Sequence, residues 1–175
     1  MNEYQDFFSE ADALRGSGGI FPKGVYRGKI AGPSLADDHP IIQEGTDWNE
    51  SENRLRFALI ENEALDGDDP GDGWMFVDLT LEVNGHSFEK LPESGTNDYF
   101  AISSAVVKLG DLAEQLGYEI EPKNWAQDLL EFAGHLVQGK FTGKKVTFET
   151  FHKTTKKGKA VVNITPRGFR AAEEE

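Results

Sequence analysis

The chain has no cysteine, which excludes disulfides, thiolate metal ligands and a thiol nucleophile. No apolar run approaches the roughly 20 residues of a membrane helix. The opening stretch MNEYQDFFSEADALRG is acidic and lacks the basic start of a secretory or transit peptide, so a cytoplasmic location is expected. Histidine is scarce: His39, His86, His135 and His152 are the four, and none follows the H-E-x-x-H spacing of a zinc hydrolase. Basic residues are also in deficit, 18 Lys and Arg against 31 Asp and Glu, for a formal charge of −13. Taken as a total, that charge opposes binding to a polyanion.

What is present is the composition of a globular domain, 38% hydrophobic and 11% aromatic. At 175 residues, one domain would bury about 70% of the surface that its unfolded chain exposes. The charge is unevenly spread. Residues 1–139 hold 9 Lys and Arg against 27 Asp and Glu, whereas residues 140–170 hold the other 9 basic residues and only Glu149. Charges separated by more than about 8 Å are largely screened at physiological salt. A local basic surface can therefore steer an anion despite the acidic total.

Residues 1–19 are expected to form an amphipathic helix, with Tyr4, Phe7, Phe8, Ala11 and Leu14 on one stripe, followed by the linker RGSGG. A domain over 20–170 and an acidic tail over 171–175 complete the division. GVYRGKI, RLRFALIENE and WMFVDLTLEV alternate as strands, and Gly28 marks a bend or bulge in the first. The stretch from Pro33 to Asn53 shows no clear period. Helical spacing follows, with Ile102, Ala105, Leu109, Leu112 and Leu116 on one face, capped at Asn97 or Asp98 and ended at Gly117; a second helix is expected near 123–137. KVTFETFHK and KAVVNIT complete a β-β-β-α-β-β order. The fold class predicted is mainly β with helices (α+β), a five-stranded OB-like barrel with an additional N-terminal helix.

With Val146, Phe148 and Thr150 turned to the core, Lys145, Phe151 and Lys153 share the outer face. A ring between cations suits a single strand, whose bases stack while ammonium groups follow the phosphates. Lys144, Lys156, Lys157 and Lys159 extend this track, and Arg167 with Phe169 would repeat the pairing. Arg27 with Lys29, and Arg54 with Arg56, add two cations per strand face. Trp74 and Phe76 lie off the Met75–Val83 core stripe and are further stacking candidates unless the helices cover them; Trp48 and Tyr99 are lesser ones. Lysines also protect edge strands from aggregation, but nine cations in so short a segment exceed that need. The arrangement requires carboxylates to lie elsewhere.

Other motifs fail on spacing. DGDDPGDG lacks the EF-hand pattern, since its fifth position is Pro70 and its twelfth Val77. GKFTGKK is not a phosphate loop, and RGSGG is not a nucleophile elbow. No metal, cofactor or catalytic residue is expected. Two alternatives stand beside single-strand binding: an acidic protein-interaction module of adaptor or DNA-mimic type, and a magnesium nuclease using Asp66, Asp68 and Asp72.

GVYRGKI, RLRFALIE, MFVDLTLEV, GKKVTFETFHKTTKKGKAVVNIT and the closing EEE together resemble bacteriophage single-stranded DNA-binding proteins of the OB class. The resemblance covers residues 20–175 by element order. Family members can end in an aromatic residue, whereas Glu175 stands last here. The resemblance implies a protein that coats transient single strands in the host cytoplasm during phage replication or recombination. It also implies an acidic tail that recruits partners or competes with DNA.

Overall fold

Alternation of apolar and polar side chains builds the sheet. In β4 (Met75–Val83) every second residue is buried, from Met75 through Val77, Leu79 and Leu81 to Val83. β3 (Glu52–Gly67) turns Leu55, Phe57 and Leu59 to the same side, opposite Leu79, Val77 and Met75. β1 (Gly24–Ile30) adds Tyr26 and Ile30, and β6 (Lys145–Thr154) adds Val146, Phe148 and Thr150. Short strands β2 (Ile41–Glu44) and β5 (His86–Ser87) and the hairpin strand β7 (Ala160–Ile164) complete the set. These elements come from a computed structural model that describes residues 20–32, 40–45, 50–154 and 158–170. The expected N-terminal helix and the acidic tail lie outside the described residues.

The strands form one antiparallel sheet in the order β5-β4-β3-β1-β6-β7, with β2 on β3. The five expected strands are present, and β2 and β5 join them. Among the described residues no strand pairing closes this mixed α+β sheet into a barrel. β2 falls in the stretch read as irregular, because four residues are too few to show a period. β5 follows a two-residue turn in which Asn84 and Gly85 have φ of 50° and 83°, the left-handed pair that an antiparallel hairpin favours.

Two helices cover the apolar face. α1 (Asn97–Gln115) buries Ile102, Ala105, Leu109, Leu112 and Ala113, and packs mainly on β4. Its N-cap is Thr96, one residue before the expected position, whose Oγ1 accepts the Tyr99 N–H at 3.2 Å. A 3-10 turn over Pro122–Asn124 leads into α2 (Trp125–Val137), which buries Leu129, Phe132, Ala133 and Leu136.

The end of α1 takes over where β6 has no strand neighbour on its β7 side. β7 pairs only with Thr150–Thr154 of β6. Further back along β6, Gln115 substitutes for a strand. Its Oε1 accepts the Thr147 N–H at 2.7 Å, and its Nε2 donates to the Thr147 carbonyl at 2.9 Å and the Phe169 carbonyl at 2.7 Å. One turn earlier, Asp111 accepts two bonds of 2.8 Å from Arg167. α1 thereby ties β4 to the far side of the sheet. Replacing Gln115 by Leu keeps the volume but strands three backbone groups, and should lower stability by about 2–3 kcal/mol in urea unfolding.

Candidate nucleic-acid interface

The candidate residues on strands β1, β3, β4 and β6 sit on the sheet face turned away from the helices, whereas Arg167 lies against α1. Pairing register sets this. Lys29 lies opposite Ile60 on β3 and Lys145 on β6, and Arg27 lies opposite Glu63 and Thr147. Two-residue alternation along β3 then puts Arg54, Arg56 and Ala58 on the side of Ile60. Across the next ladder, Ala58 faces Phe76 and Arg56 faces Asp78. Along β6 the same alternation carries Lys145 to Phe151 and Lys153.

Register brings three of these cations together, since Arg27 and Lys29 are two residues apart on β1 and Lys29 lies opposite Lys145 in an unshifted β1–β6 ladder. The β1–β3 register shifts between Arg27 and Lys29. There the buried Asn62 side chain crosses Gly28 so closely that a Cβ would sit 1.8 Å from Oδ1. Asn62 is held by donating to the Leu59 carbonyl at 2.8 Å and the Gly73 carbonyl at 3.1 Å. The irregularity expected at Gly28 is present, but the extra residue lies in β3, where Glu61 and Asn62 together oppose Gly28 beside a cleft of about 170 Å³ lined by Arg27, Gly28, Lys29, Glu61, Glu63 and Lys145. Glu61 itself has φ of 52°, a left-handed conformation that costs a residue with a Cβ about 1–2 kcal/mol.

The aromatic part lies over β4. Trp74 is 38% exposed and Phe76 41%, with ring centroids 6.2 Å apart. The helices cover the opposite face and leave both rings open. The Arg56 guanidinium carbon lies 5.2 Å from the Phe76 ring centre, within the range of a cation–π contact. Phe151 is half-buried, opposite Asn163 of β7. Tyr99 packs edge-on against Phe100 at the start of α1, away from this face.

Lys144, Lys145, Lys153 and Lys159 are exposed. Lys156, Lys157 and Trp48 lie outside the described residues. Two expectations near the C-terminus need correction. Arg167 is engaged by Asp111, and that hydrogen bonding, opposed by a smaller desolvation, raises its pKa above the ordinary arginine value. Phe169 is fully buried in the core and offers no stacking surface.

A third correction concerns the carboxylates, which do not lie elsewhere. Glu61 Oε1 sits 3.0 Å from Lys29 Nζ, and Asp78 Oδ1 3.6 Å from Arg56 Nη1. Glu63 stands opposite Arg27, and Glu149 opposite Val25. Arg54 reaches Gln43 Oε1 at 3.4 Å. Cross-strand ion pairs are what an antiparallel sheet selects on an exposed face. They could have been anticipated only by aligning the strands, since Arg56 and Asp78 are far apart in sequence. Lys108 on α1 was also missed, hidden in the helical stripe. Burial, and then the charge of Lys153, push its pKa down.

The acidic loop after β3 is a separate feature. Asp69 Oδ1 accepts the Gly71 N–H at 2.8 Å, and the Tyr26 hydroxyl lies 2.9 Å from the Asp68 carbonyl. Burial, then the charges of Asp68, Asp66 and Asp69, raise the Tyr26 pKa.

No family model matches this chain, and a search of curated proteins finds no match to it. Among the described residues, no helix is long and apolar enough to cross a membrane.

Proposed function

We propose that this protein binds single-stranded DNA without sequence preference and performs no chemistry of its own. The observation that carries the reading is the exposed pair Trp74 and Phe76 on the same sheet face as Arg27, Lys29, Arg56 and Lys145. Rings would stack bases and cations would follow phosphates, the combination that sequence-tolerant single-strand binding needs. Phe151, Lys144, Lys153, Arg54 and the hairpin residues Lys156, Lys157 and Lys159 extend the contact.

The scaffold is read as OB-like. Counting the five long strands in chain order, β4-β3-β1-β6-β7 runs 3-2-1-4-5, with the helices between the third and fourth. OB domains bind oligonucleotides on the face of strands 2 and 3 and on the 1–2 and 4–5 loops. Here those strands are β3 and β4, which carry Arg54, Arg56 and Phe76, with Trp74 just before β4. The 4–5 loop is the lysine hairpin. The protein would coat transient single strands during phage replication or recombination in a host cytoplasm, and its acidic tail would engage replication or recombination partners.

Titrating single- and double-stranded oligonucleotides across salt tests this. Preference for the single strand is expected, with log affinity falling against log salt at a slope near −3.5 if about five phosphates are neutralised. Equal affinity for the duplex, or no binding at low salt, overturns it. One observation favours a protein-interaction module instead: Phe100 is 61% exposed on α1, with Val107 two turns further along. Absence of any oligonucleotide shift at low salt would favour that alternative.

A further inference from the structure

The cleft beside Gly28 and the β3 bulge holds three cations and two carboxylates. Lys29 and Lys145 are direct cross-strand neighbours, like charges that repel unless an anion sits between or beside them. In this structure the anion is the chain's own. Glu61 brings a carboxylate oxygen to 3.0 Å from Lys29 Nζ, while 64% of its side chain remains exposed. It does so from a backbone conformation that disfavours any residue with a Cβ, so its position is held by the bulge rather than chosen by Glu itself. An exposed carboxylate with one ion-pair partner is easily displaced, because such a pair is weak in water.

We propose that this cleft is a seat for one backbone phosphate of the bound strand, and that Glu61 occupies it as a displaceable phosphate substitute when no strand is present. Arg27, Lys29 and Lys145 are the receiving cations, and Glu63, opposite Arg27, balances the site without closing it. The inference rests on the single-strand reading and adds an internal competitor to it. The competitor lowers affinity at this one phosphate and speeds release of the strand. It also excludes weaker anions, since a free monovalent anion gains less from three cations than a phosphate tethered by its neighbours does.

Single-strand affinity of Glu61→Gln, Glu61→Gly and Glu119→Gln proteins, each compared with the wild type at one salt concentration, tests the proposal. Glu61→Gln removes the charge at constant shape. Glu61→Gly removes the side chain and suits the left-handed backbone, so a folding defect in one variant is not shared by the other. Glu119, exposed on the link between the helices, controls for the change in total charge. Both Glu61 variants should bind an oligothymidylate about fivefold to tenfold more tightly, from loss of the competing ion pair and of carboxylate–phosphate repulsion. Glu119→Gln should stay within twofold of the wild type, because distant charges are screened. A wild type that binds, with Glu61 variants within twofold of it or weaker, sinks the exchange and leaves the binding reading intact. Equal gains at Glu61 and Glu119 also sink it, by assigning the effect to net charge. No binding by any of the proteins at low salt removes the single-strand reading, and the exchange with it.

Discussion

Combining Trp74→Ala with Phe76→Ala is expected to weaken single-stranded DNA binding by about 2–5 kcal/mol. Each ring offers a stacking face worth about 1–3 kcal/mol per base. The sum should fall short of additive, since centroids 6.2 Å apart serve neighbouring bases on one strand. Phe76 also orients Arg56, so its loss removes a ring and loosens a cation. Neither ring belongs to the core, and thermal unfolding should hardly change. Indole fluorescence gives an independent readout. Among Trp48, Trp74 and Trp125, the quench on adding oligonucleotide should disappear in Trp74→Phe while binding survives. Full affinity in the double variant would move the bases elsewhere on the molecule.

Gly28→Ala should lower stability by about 2–4 kcal/mol. The new Cβ would lie 1.8 Å from Asn62 Oδ1, 2.9 Å from its Cγ and 3.1 Å from the Ile60 carbonyl. Asn62 can yield only by giving up its bonds to the Leu59 and Gly73 carbonyls. The cost combines overpacking, about 1–3 kcal/mol, with part of a buried hydrogen-bond loss. Urea unfolding of Gly28→Ala, Asn62→Ala and the double variant separates these terms. The double variant should recover part of the loss, because the obstructing side chain is gone. A Gly28→Ala protein as stable as the wild type would mean that the β3 bulge relaxes, and with it the placement of Glu61 beside Lys29.

Much of the architecture was legible one segment at a time. Strict alternation in Met75–Val83 marks a strand with one buried face, and Ile102 through Ala113 mark a helix, because both patterns are local and period-bound. The glycine inside GVYRGKI marked where the irregularity falls, but not that the extra residue belongs to β3, opposite it. The Asn84–Gly85 hairpin was equally readable and was overlooked, since strand β5 beyond it is only two residues long. β2 was not readable, being recruited by the backbone of β3 rather than by a pattern of its own.

By itself the sequence determined which residues alternate, where basic charge accumulates and that a single globular domain is affordable without disulfides. Only the tertiary structure decided their company. It left Trp74 and Phe76 open by sending both helices to the opposite face. It turned Arg167 to Asp111, and it set Glu61 and Asp78 beside the cations they neutralise. The physical reason is that a side chain's face follows from the period of its own strand, whereas its partners follow from strand register and helix placement. Those are fixed by contacts between segments far apart in the chain.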